Sequence, residues 1–378
     1  MYLSNQEERI LNGEEGKIKA KAMRILAILG DIFDADKLIP IDSTQIAGVS
    51  YKTIGDAGLE FLEDWSDSKV VVESRMNPAG MDLEDWREMG VSKTFAKKQL
   101  RIINALTSMG VKKSCSCTPY HAGLVPKRGS HIAWSESSAV AYANSVLGAM
   151  TNREGGPSAL SAALIGKTPN YGLHLKENRI AEILFEVDFE LSELDYSLLG
   201  YHIGSISKNK IPAIKGIAHA TNLQLKALGA GAAAGGGVPM FMVKDITPEY
   251  RIINQPEKIT VNKSDISAIK RKFDTCTKPD VIAFGCPHCS YEEIDNIIKE
   301  ATTEHELWIC TSREVKEKFK HIPSNIKIFA DTCMVVAPVE DMGIQCIATD
   351  STKCAHYSQN LSDINTLIKS RRELIHET

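Results

Sequence analysis

The residues best suited to chemistry lie in one polar stretch of the chain, between positions 117 and 158. The stretch combines a thiol, carboxylates, amides, hydroxyls and an arginine with many small residues, in blocks at 117–120, 131–138, 144–145 and 151–158. An amphipathic surface segment would instead alternate one apolar face with mostly Lys and Glu. This composition is typical of a catalytic or binding site.

Three of the nine cysteines follow segments with strand-like sequences. Cys117 precedes Thr-Pro-Tyr, Cys286 lies in Gly-Cys-Pro-His, and Cys333 lies in Asp-Thr-Cys-Met. Thiolates in loops at strand ends could converge on one point. Three thiolates can hold an iron-sulfur cluster while leaving one iron without a protein ligand, and such an iron can act as a Lewis acid. The alternative for each cysteine is that of a small buried apolar residue.

A second cysteine pattern points to zinc. Cys286 and Cys289 form a Cys-x-x-Cys pair, which elsewhere provides half of a zinc site or a redox pair. The sequence has no second pair of this spacing, and Cys115 and Cys117 are too close together to complete a zinc ribbon. A zinc-stabilised scaffold protein without catalytic activity stays open as an alternative. Structural disulfides are not expected in a reducing compartment.

Three charged residues stand in polar blocks rather than among solvent-facing charges. Arg153 lies in the block at 151–158 and Lys353 in a second block at 349–357, and each could hold a carboxylate or a phosphate. Glu136 follows apolar residues that would desolvate its carboxyl group, raise its pKa and suit it to acid-base catalysis. Its alternative role is to cap the helix that begins there.

A glycine run, Gly229-Ala-Gly-Ala-Ala-Ala234, matches the spacing of the dinucleotide-binding fingerprint. The context does not fit, because a helix-like segment precedes the run and a strand-like segment follows it. We expect instead that its backbone closely approaches a ligand or a neighbouring element, since glycine has no Cβ.

Strand-like segments alternate with helix-like ones, at least after residue 210, which predicts an α/β protein. The expected elements are, in chain order, a helix at 6–34, a polar loop region at 42–56, a buried strand at 69–74, a helix at 92–109, a short strand at 112–117, a helix from 136, a strand at 183–189, a glycine-rich loop at 229–237, and strands at 238–243 and 280–284. We expect lobes at 1–210 and 211–330, with 331–378 returning to the active site, and hinge-like segments at 205–216 and 244–265.

The composition excludes several classes of protein. The 378 residues are 43% hydrophobic and 24% charged, with a formal net charge of -4, as in an ordinary soluble globular protein. No basic block indicates binding to nucleic acid or to a membrane surface. The N-terminus has no apolar signal core, so we expect a cytoplasmic protein.

Taken together, the motifs resemble the large subunit of the aconitase X family, nearly from end to end. The resemblance rests on segments at 49–56, 77–78, 117–120, 134–138, 144–145, 151–158, 285–288 and 353–357. It implies an aconitase-like, multi-lobed α/β assembly of mixed and parallel sheets flanked by helices, without the swivelling domain. It also implies an iron-sulfur cluster and a dehydration reaction.

Members of this family divide between phosphomevalonate dehydratases of the archaeal mevalonate pathway and cis-3-hydroxyproline dehydratases. The chain resembles the archaeal type, in which a separate small subunit carries the swivelling domain and is expected to complete the active site. The resemblance therefore implies a small phosphorylated hydroxy acid, (R)-5-phosphomevalonate, as the substrate. A hydroxyproline substrate on the same scaffold is the alternative.

The resemblance also implies roles for individual residues. The expected ligands of a four-iron, four-sulfur cluster with one open iron are Cys117, Cys286 and Cys333. The expected catalytic or proton-relay residues are Glu136, Ser137, Asn152, Glu154 and His356. The expected substrate-binding residues are Ser50, Tyr51, Lys52, Asn77, Asn144, Arg153 and Lys353. Lys353, Lys52 and the amides of the glycine run are candidates for the phosphate, while the base is expected to be a serine of the swivelling domain.

Overall fold

The computed structural model describes residues 1–208 and 210–376, and it confirms the α/β class. Within these residues the strands form four sheets, of which three are parallel throughout. Helices flank the sheets, as expected for parallel strands, which need crossover connections. None of the helices in this described part has the length and apolar character that crossing a membrane requires.

The first part of the chain surrounds a small parallel sheet in which β2 lies between β3 and β4. The strands of this part of the chain are β1 (Leu38–Pro40), β2 (Ser43–Ile46), β3 (Glu73–Met76), β4 (Ala133–Trp134) and β5 (Lys167–Pro169). Its helices are α1 (Asn5–Leu11), α2 (Lys17–Ile32), α3 (Tyr51–Trp65), α4 (Lys93–Ser108), α5 (Ser137–Tyr142), a π-helical turn (Ala143–Leu147) and α6 (Gly156–Ile165). Strands β1 and β5 pair separately as an antiparallel ribbon.

The middle of the chain forms a four-stranded parallel sheet in the order β8-β7-β6-β9. Its elements are β6 (Ala181–Val187), α7 (Glu193–Ser207), β7 (Pro212–Lys215), α8 (Asn222–Gly236), β8 (Met242–Val243), β9 (Ile252–Val261) and α9 (Lys263–Phe273). Helices α7 and α8 pack against each other over the apolar face of this sheet.

The last part forms a five-stranded parallel sheet in the order β12-β11-β10-β13-β14. Its elements are β10 (Val281–Phe284), α10 (Tyr291–Glu300), β11 (Leu307–Thr311), α11 (Arg313–Lys316), β12 (Ile326–Ala330), β13 (Cys346–Thr349), α12 (Thr352–Leu361), β14 (Asn365–Ile368) and α13 (Arg371–His376). The chain first adds strands on one side of β10 and then on the other. Such a reversal of strand order opens a crevice beyond the carboxyl ends of the strands, where α/β proteins bind ligands.

Several local predictions are wrong, and each has an identifiable cause. The region 42–56 is not a loop: its polar residues form the buried strand β2 and the start of α3. The helix predicted at 6–34 is two helices, separated near Gly13 and Gly16, whose φ values of 89° and 101° do not fit a helix. The valines at 70–72 lie before β3 rather than in it.

Other segments also differ from the predicted pattern. The strand expected at 112–117 is only an isolated bridge between Arg75 and Lys112. The predicted strand at 238–243 is reduced to its last two residues, β8. The expected hinge at 244–265 includes all of β9, whose alternating polar residues conceal its pairing with β6. The strand at 280–284 and the helix at 92–109 are confirmed to within a residue at each end.

The glycine run is the clearest departure, because it continues helix α8 instead of forming a loop. Its glycines bring α8 against α7. A Cβ added at Gly231 would lie 2.4 Å from the carbonyl oxygen of Ser197, and one at Gly204 of α7 would lie 2.3 Å from that of Ala232. Of the two expected roles, close approach to a neighbouring element is therefore confirmed. Amides within the helix are not placed to bind a phosphate.

One pair of cysteines forms a disulfide bond that the sequence does not predict. Cys276 and Cys346 form a disulfide, with their Cα atoms 6.4 Å apart, although no structural disulfide is expected from the sequence. The pairing links the start of β13 to the segment that leads into β10. The three cysteines expected to bind a cluster are free thiols.

Candidate active site

About half of the site residues predicted from the sequence meet at one cavity of about 370 Å³, between the first and last parallel sheets. The loops that follow β2, β3 and β4 reach it from one side, and those that follow β10 and β12, with the start of α12, reach it from the other. Eight of the predicted site residues line it: Asn77, Cys117, Glu136, Ser137, Arg153, Cys286, Cys333 and Lys353. The carboxyl edges of two parallel sheets thus converge on one site.

The three expected cluster ligands all open into this cavity, and each is at most 8% exposed. Burial raises the pKa of Cys117 well above its usual value and that of Cys333 to about 12. For Cys286, a hydrogen bond with the Cys354 thiol and burial both raise the pKa. These thiols would ionise only beside a strong positive charge, which a bound metal supplies.

The donor set fits a multi-iron cluster better than one metal ion. Within residues 1–208 and 210–376, no group of three or more His, Cys, Asp or Glu side chains is arranged around a single ion. The three cysteine thiols instead stand around a shared space, each from a different loop. In a cluster each thiolate binds its own iron, so three thiols that line one cavity from separate loops fit such a group.

Glu136 and Lys353 form an ion pair in the cavity. Burial opposes the charge on Glu136, but Lys353 and hydrogen bonds from Asn77 and Ser138 outweigh it and lower its pKa to about 2. The expectation of a raised pKa is therefore wrong, because desolvation was considered without the ion partner. The side chain of Glu136 also accepts a hydrogen bond from the Ser138 amide, so its alternative role as a helix cap is confirmed.

Lys353, the cation of this pair, is 5% exposed and lies in the first turn of α12. Burial lowers the pKa of this ammonium, but the nearby Glu136 carboxylate and the thiols of Cys286 and Cys117 raise it well above its usual value. Its Nζ also donates to Ser138 Oγ, 3.0 Å away. Lys353 therefore carries a fixed positive charge beside the thiols.

Arg153 is the other cation at the cavity. It is exposed, and among the described residues its guanidinium has no hydrogen-bond or ion-pair partner. An unengaged guanidinium at a cavity wall has its five N–H donors available for an anionic ligand.

Three residues at the start of α3 support the cavity wall without lining it. Ser50 Oγ donates to the carbonyl oxygen of Val336, 2.7 Å away. Lys52 Nζ pairs with the Glu340 carboxylate at 2.7 Å and donates to two further oxygens. Tyr51 contacts Asp56 and a lysine on the outer surface. Their predicted part in substrate binding stays a prediction, and Lys52 is already engaged by Glu340.

The remaining predicted residues lie outside the cavity lining. The Asn144 amide donates to two backbone carbonyls, and that of Asn152 bridges Tyr171 and Leu173. These contacts tie the polar block to the segment after β5 and to Pro239 ahead of β8, and the roles proposed for both residues stay predictions.

The two remaining ionisable candidates are also engaged elsewhere. Glu154 is buried, which raises its pKa, and it accepts hydrogen bonds from Ser158 and Thr168. His356 contacts the Tyr201 hydroxyl at 3.1 Å. A catalytic role for either stays a prediction, without a contact to the cavity in the described structure.

Sequence reasoning missed several lining residues. Pro78 and Ser135 lie inside the motifs at 77–78 and 134–138 without a predicted role, and Gly48 directly precedes the motif at 49–56, so the motifs themselves point to all three. Val335 and Val336 are apolar and carry no such signal. They become part of the wall only because the loop after β12 folds back toward α3.

Known proteins and family models match this chain along nearly its whole length. Models of the first, second and third domains of aconitase X match residues 1–177, 181–271 and 279–378. The phosphomevalonate dehydratase large subunit of Methanocaldococcus jannaschii is 47% identical over 98% of this chain and 100% of its own length. That of Methanothermobacter thermautotrophicus is 46% identical over 99% of this chain and 98% of its own length.

The likeness extends to a solved structure and, less strongly, to a second activity. The crystal structure of Thermococcus kodakaraensis aconitase X in its holo-form has a TM-score of 0.93 and 42% identity, and the match covers 100% of both chains. The cis-3-hydroxy-L-proline dehydratase of Hypocrea jecorina is 31% identical, over 95% of this chain and 65% of that protein. With nearly every residue matched by the three domain models, the chain belongs to the aconitase X family.

Proposed function

We propose that the chain is the large subunit of a hydro-lyase that converts (R)-5-phosphomevalonate into trans-anhydromevalonate 5-phosphate. The observation that carries this proposal is the convergence of three thiols, a fixed ammonium group and an unengaged guanidinium on one cavity. Relatives at 46–47% identity that carry the name phosphomevalonate dehydratase large subunit support the choice of substrate.

The reaction needs two events on neighbouring carbons. The C–H bond next to the carboxylate breaks, and its electron pair forms the new double bond as a base takes the proton. The C–O bond breaks as well, and the hydroxyl leaves with its electron pair and gains a proton as water. When bound by Cys117, Cys286 and Cys333, a four-iron, four-sulfur cluster with one open iron supplies a Lewis acid for the departing oxygen.

The charged residues of this chain would orient the substrate. The Arg153 guanidinium has donors free to take the carboxylate in a bidentate fork, which stabilises the negative charge that develops there as the proton leaves. Lys353 presents a positive charge to a second anionic group, such as the phosphate. Since Glu136 holds that ammonium in place, we assign Glu136 an orienting role rather than proton transfer.

A separate small subunit is the proposed partner. The name of the relatives, large subunit, implies such a partner for them. We propose that it carries the swivelling domain, covers the cavity in the cytoplasm and supplies the base. This placement agrees with the pKa values of this chain, because the carboxylate in the cavity, Glu136, is too weak a base to remove the proton.

The test is anaerobic co-expression with a candidate small subunit, followed by assays of iron, sulfide and loss of water from phosphomevalonate. We expect an iron- and sulfide-loaded pair that forms the anhydro product, and no product from the large chain alone. A loaded, well-folded pair that acts on cis-3-hydroxyproline but not on phosphomevalonate would transfer the assignment to that branch. Zinc without iron or sulfide would favour the scaffold alternative.

A further inference from the structure

His288 is a buried residue that neither the predicted site nor the proposed mechanism uses. It is 0% exposed and lies two positions after Cys286, in the loop between β10 and α10. Its ring does not line the cavity. It lies behind the thiols instead, where the loops that carry them meet.

The ring of His288 contacts both of the other cysteine loops. Its Nε2 is 2.9 Å from the carbonyl oxygen of Thr332, the residue before Cys333. Its Nδ1 is 3.2 Å from the hydroxyl of Ser116, the residue before Cys117. Each contact is therefore one position away from a proposed cluster ligand.

The backbone of His288 adds two contacts at the same place. Its N–H donates to Cys117 Sγ at 3.2 Å. Its carbonyl oxygen accepts from Lys226 Nζ at 3.2 Å, and that ammonium pairs with the buried Glu293 carboxylate at 2.6 Å. The loop after β10 is thus held from the side of α8 as well as by the two other cysteine loops.

These contacts fit a neutral ring with its hydrogen on Nε2. A carbonyl oxygen only accepts, so the hydrogen must be on Nε2, which donates to Thr332. Nδ1 is then an acceptor, and it takes the hydrogen of the Ser116 hydroxyl. Ser116 Oγ in turn accepts from the Thr118 amide at 3.1 Å, so the chain of donors and acceptors is consistent.

We infer that His288 is a positioning residue that holds the three cysteine loops in the arrangement needed to bind the cluster. The inference rests on the proposed function, because it presupposes that Cys117, Cys286 and Cys333 are cluster ligands. The three loops come from three distant parts of the chain. Backbone hydrogen bonds from Ser116 N–H to Met76 and from Ala79 N–H to Asp331 tie the loops of Cys117 and Cys333 to the segment after β3, whereas the contacts of His288 join both of them to the loop of Cys286. One side chain that bonds to two loops from within the third provides that connection. Groups that orient metal ligands in this way typically change metal affinity by about 10- to 100-fold when removed.

Two substitutions separate the contacts. His288→Gln keeps an N–H donor with enough reach for the Thr332 carbonyl but loses the acceptor for Ser116. Ser116→Ala removes the second contact while leaving the imidazole in place. His288→Ala removes both and leaves the buried Thr332 carbonyl without its histidine donor, which costs stability as well. His174→Ala is the matched control, because His174 is also a buried histidine, 3% exposed, and lies outside the cavity lining.

The measurement is the rate at which a chelator removes iron from the anaerobic complex with the small subunit, together with the melting temperature of the apo form. We expect His288→Ala to lose iron about tenfold faster or more. His288→Gln and Ser116→Ala should show intermediate rates, and His174→Ala should lose iron at the wild-type rate even where its melting temperature falls. If His288→Ala does not fold, the test is whether His288→Gln and Ser116→Ala release iron faster than His174→Ala does.

The outcomes separate this inference from the proposed function. A wild-type complex without iron and sulfide would overturn both. A loaded wild-type complex whose Ser116→Ala and His288→Gln variants release iron no faster than His174→Ala would overturn the positioning role alone. A change in melting temperature without a change in iron release would make His288 an ordinary core residue.

Discussion

Lys353 and Glu136, 217 positions apart in sequence, form a buried ion pair on the wall of the cavity that the three cysteines share. Each is held in its charged form by the other, because burial disfavours both charges and only the pairing outweighs it. The pair therefore provides a fixed ammonium group of defined orientation beside the thiols. It joins the loop after β4 to the start of α12 across the two sheets.

Replacement of Lys353 by Met should abolish catalysis and also destabilise the fold. The variant removes the ammonium group that we propose binds an anionic group of the substrate, for which we expect a loss of about 100-fold or more in kcat/KM. It also leaves the Glu136 carboxylate buried without its ion partner, which should cost about 3 kcal/mol. Activity of the complex and urea unfolding of the large chain measure the two effects separately.

The double variant Glu136→Gln with Lys353→Met distinguishes the two roles of Lys353. Removing both charges should restore most of the stability but none of the activity. Lys176→Met is a control, because Lys176 is exposed and lies outside the cavity. Wild-type turnover by the Lys353→Met variant would contradict a substrate-binding role.

Serine substitutions should distinguish ligand cysteines from ordinary buried ones. Cys117→Ser, Cys286→Ser and Cys333→Ser should each reduce the iron and sulfide bound after anaerobic purification, because a neutral hydroxyl replaces a thiolate ligand. Cys289→Ala is the matched control, since this thiol is buried in a different apolar cluster. We expect the control to keep its full iron content.

The result for Cys289→Ala also tests the Cys-x-x-Cys hypothesis. Equal loss of metal from Cys289→Ala and Cys286→Ser would indicate that the pair acts as one site. That outcome would contradict a ligand set of Cys117, Cys286 and Cys333.

Because α7 and α8 are in close contact, glycine-to-alanine substitutions at different positions of α8 should differ in their effect on the free energy of unfolding. Gly231→Ala would place a Cβ 2.4 Å from a backbone oxygen, whereas Gly229→Ala would place one 3.0 Å from a ring carbon of Phe241. Backbone in a packed helix pair cannot move aside as a side chain can. We therefore expect Gly231→Ala to cost about 1 to 3 kcal/mol in free energy of unfolding.

Both substitutions gain the same helix propensity, so Gly229→Ala is the internal control for Gly231→Ala. Thermal unfolding should show the larger loss for Gly231→Ala. Equal melting temperatures would mean that the helices are farther apart than the structure shows.

The charge of the Asp82 carboxylate should stabilise the folded protein at neutral pH and lose this effect in acid. Burial opposes its charge, but backbone amides and the side chains of Lys316 and Arg313 outweigh burial and lower its pKa from 3.8 to about 2. A carboxyl group whose pKa is lowered by folding stabilises the protein above its ordinary pKa and loses that effect as the pH falls toward the folded value. Asp82 should therefore contribute about 2 kcal/mol at neutral pH and progressively less between about pH 4 and pH 2.

The measurement is the difference in unfolding free energy between wild type and Asp82→Asn, taken at several pH values. The difference should be largest near pH 7 and shrink below about pH 4, as protonation removes the charge from the wild type too. Asp64→Asn is the control, because Asp64 forms an exposed, solvent-screened pair with Lys21 and should leave stability nearly unchanged at every pH. A difference that does not depend on pH would show that the Asp82 charge contributes nothing.

The parts of the molecule that could be predicted are those set by local pattern. Helix α4 and strand β10 follow from the periodicity of their own apolar residues. The glycine run was predicted as a loop because glycine disfavours helices, and the contact of α8 with α7 overrides that preference. The strand β2 was missed because its polar side chains are buried by hydrogen bonds, such as Thr44 to Ser74, rather than by apolar contacts.

By itself, the sequence determined the α/β class, the three candidate ligand cysteines and the polar motifs by which the aconitase X family is identified. These features are carried by residue types and short spacings. The tertiary structure alone decided that Lys353 neutralises Glu136, that Arg153 is unengaged, and that His288 bonds to the loops of Cys117 and Cys333. Such contacts join residues tens to hundreds of positions apart, so they exist only once the strand order brings the sheet edges together.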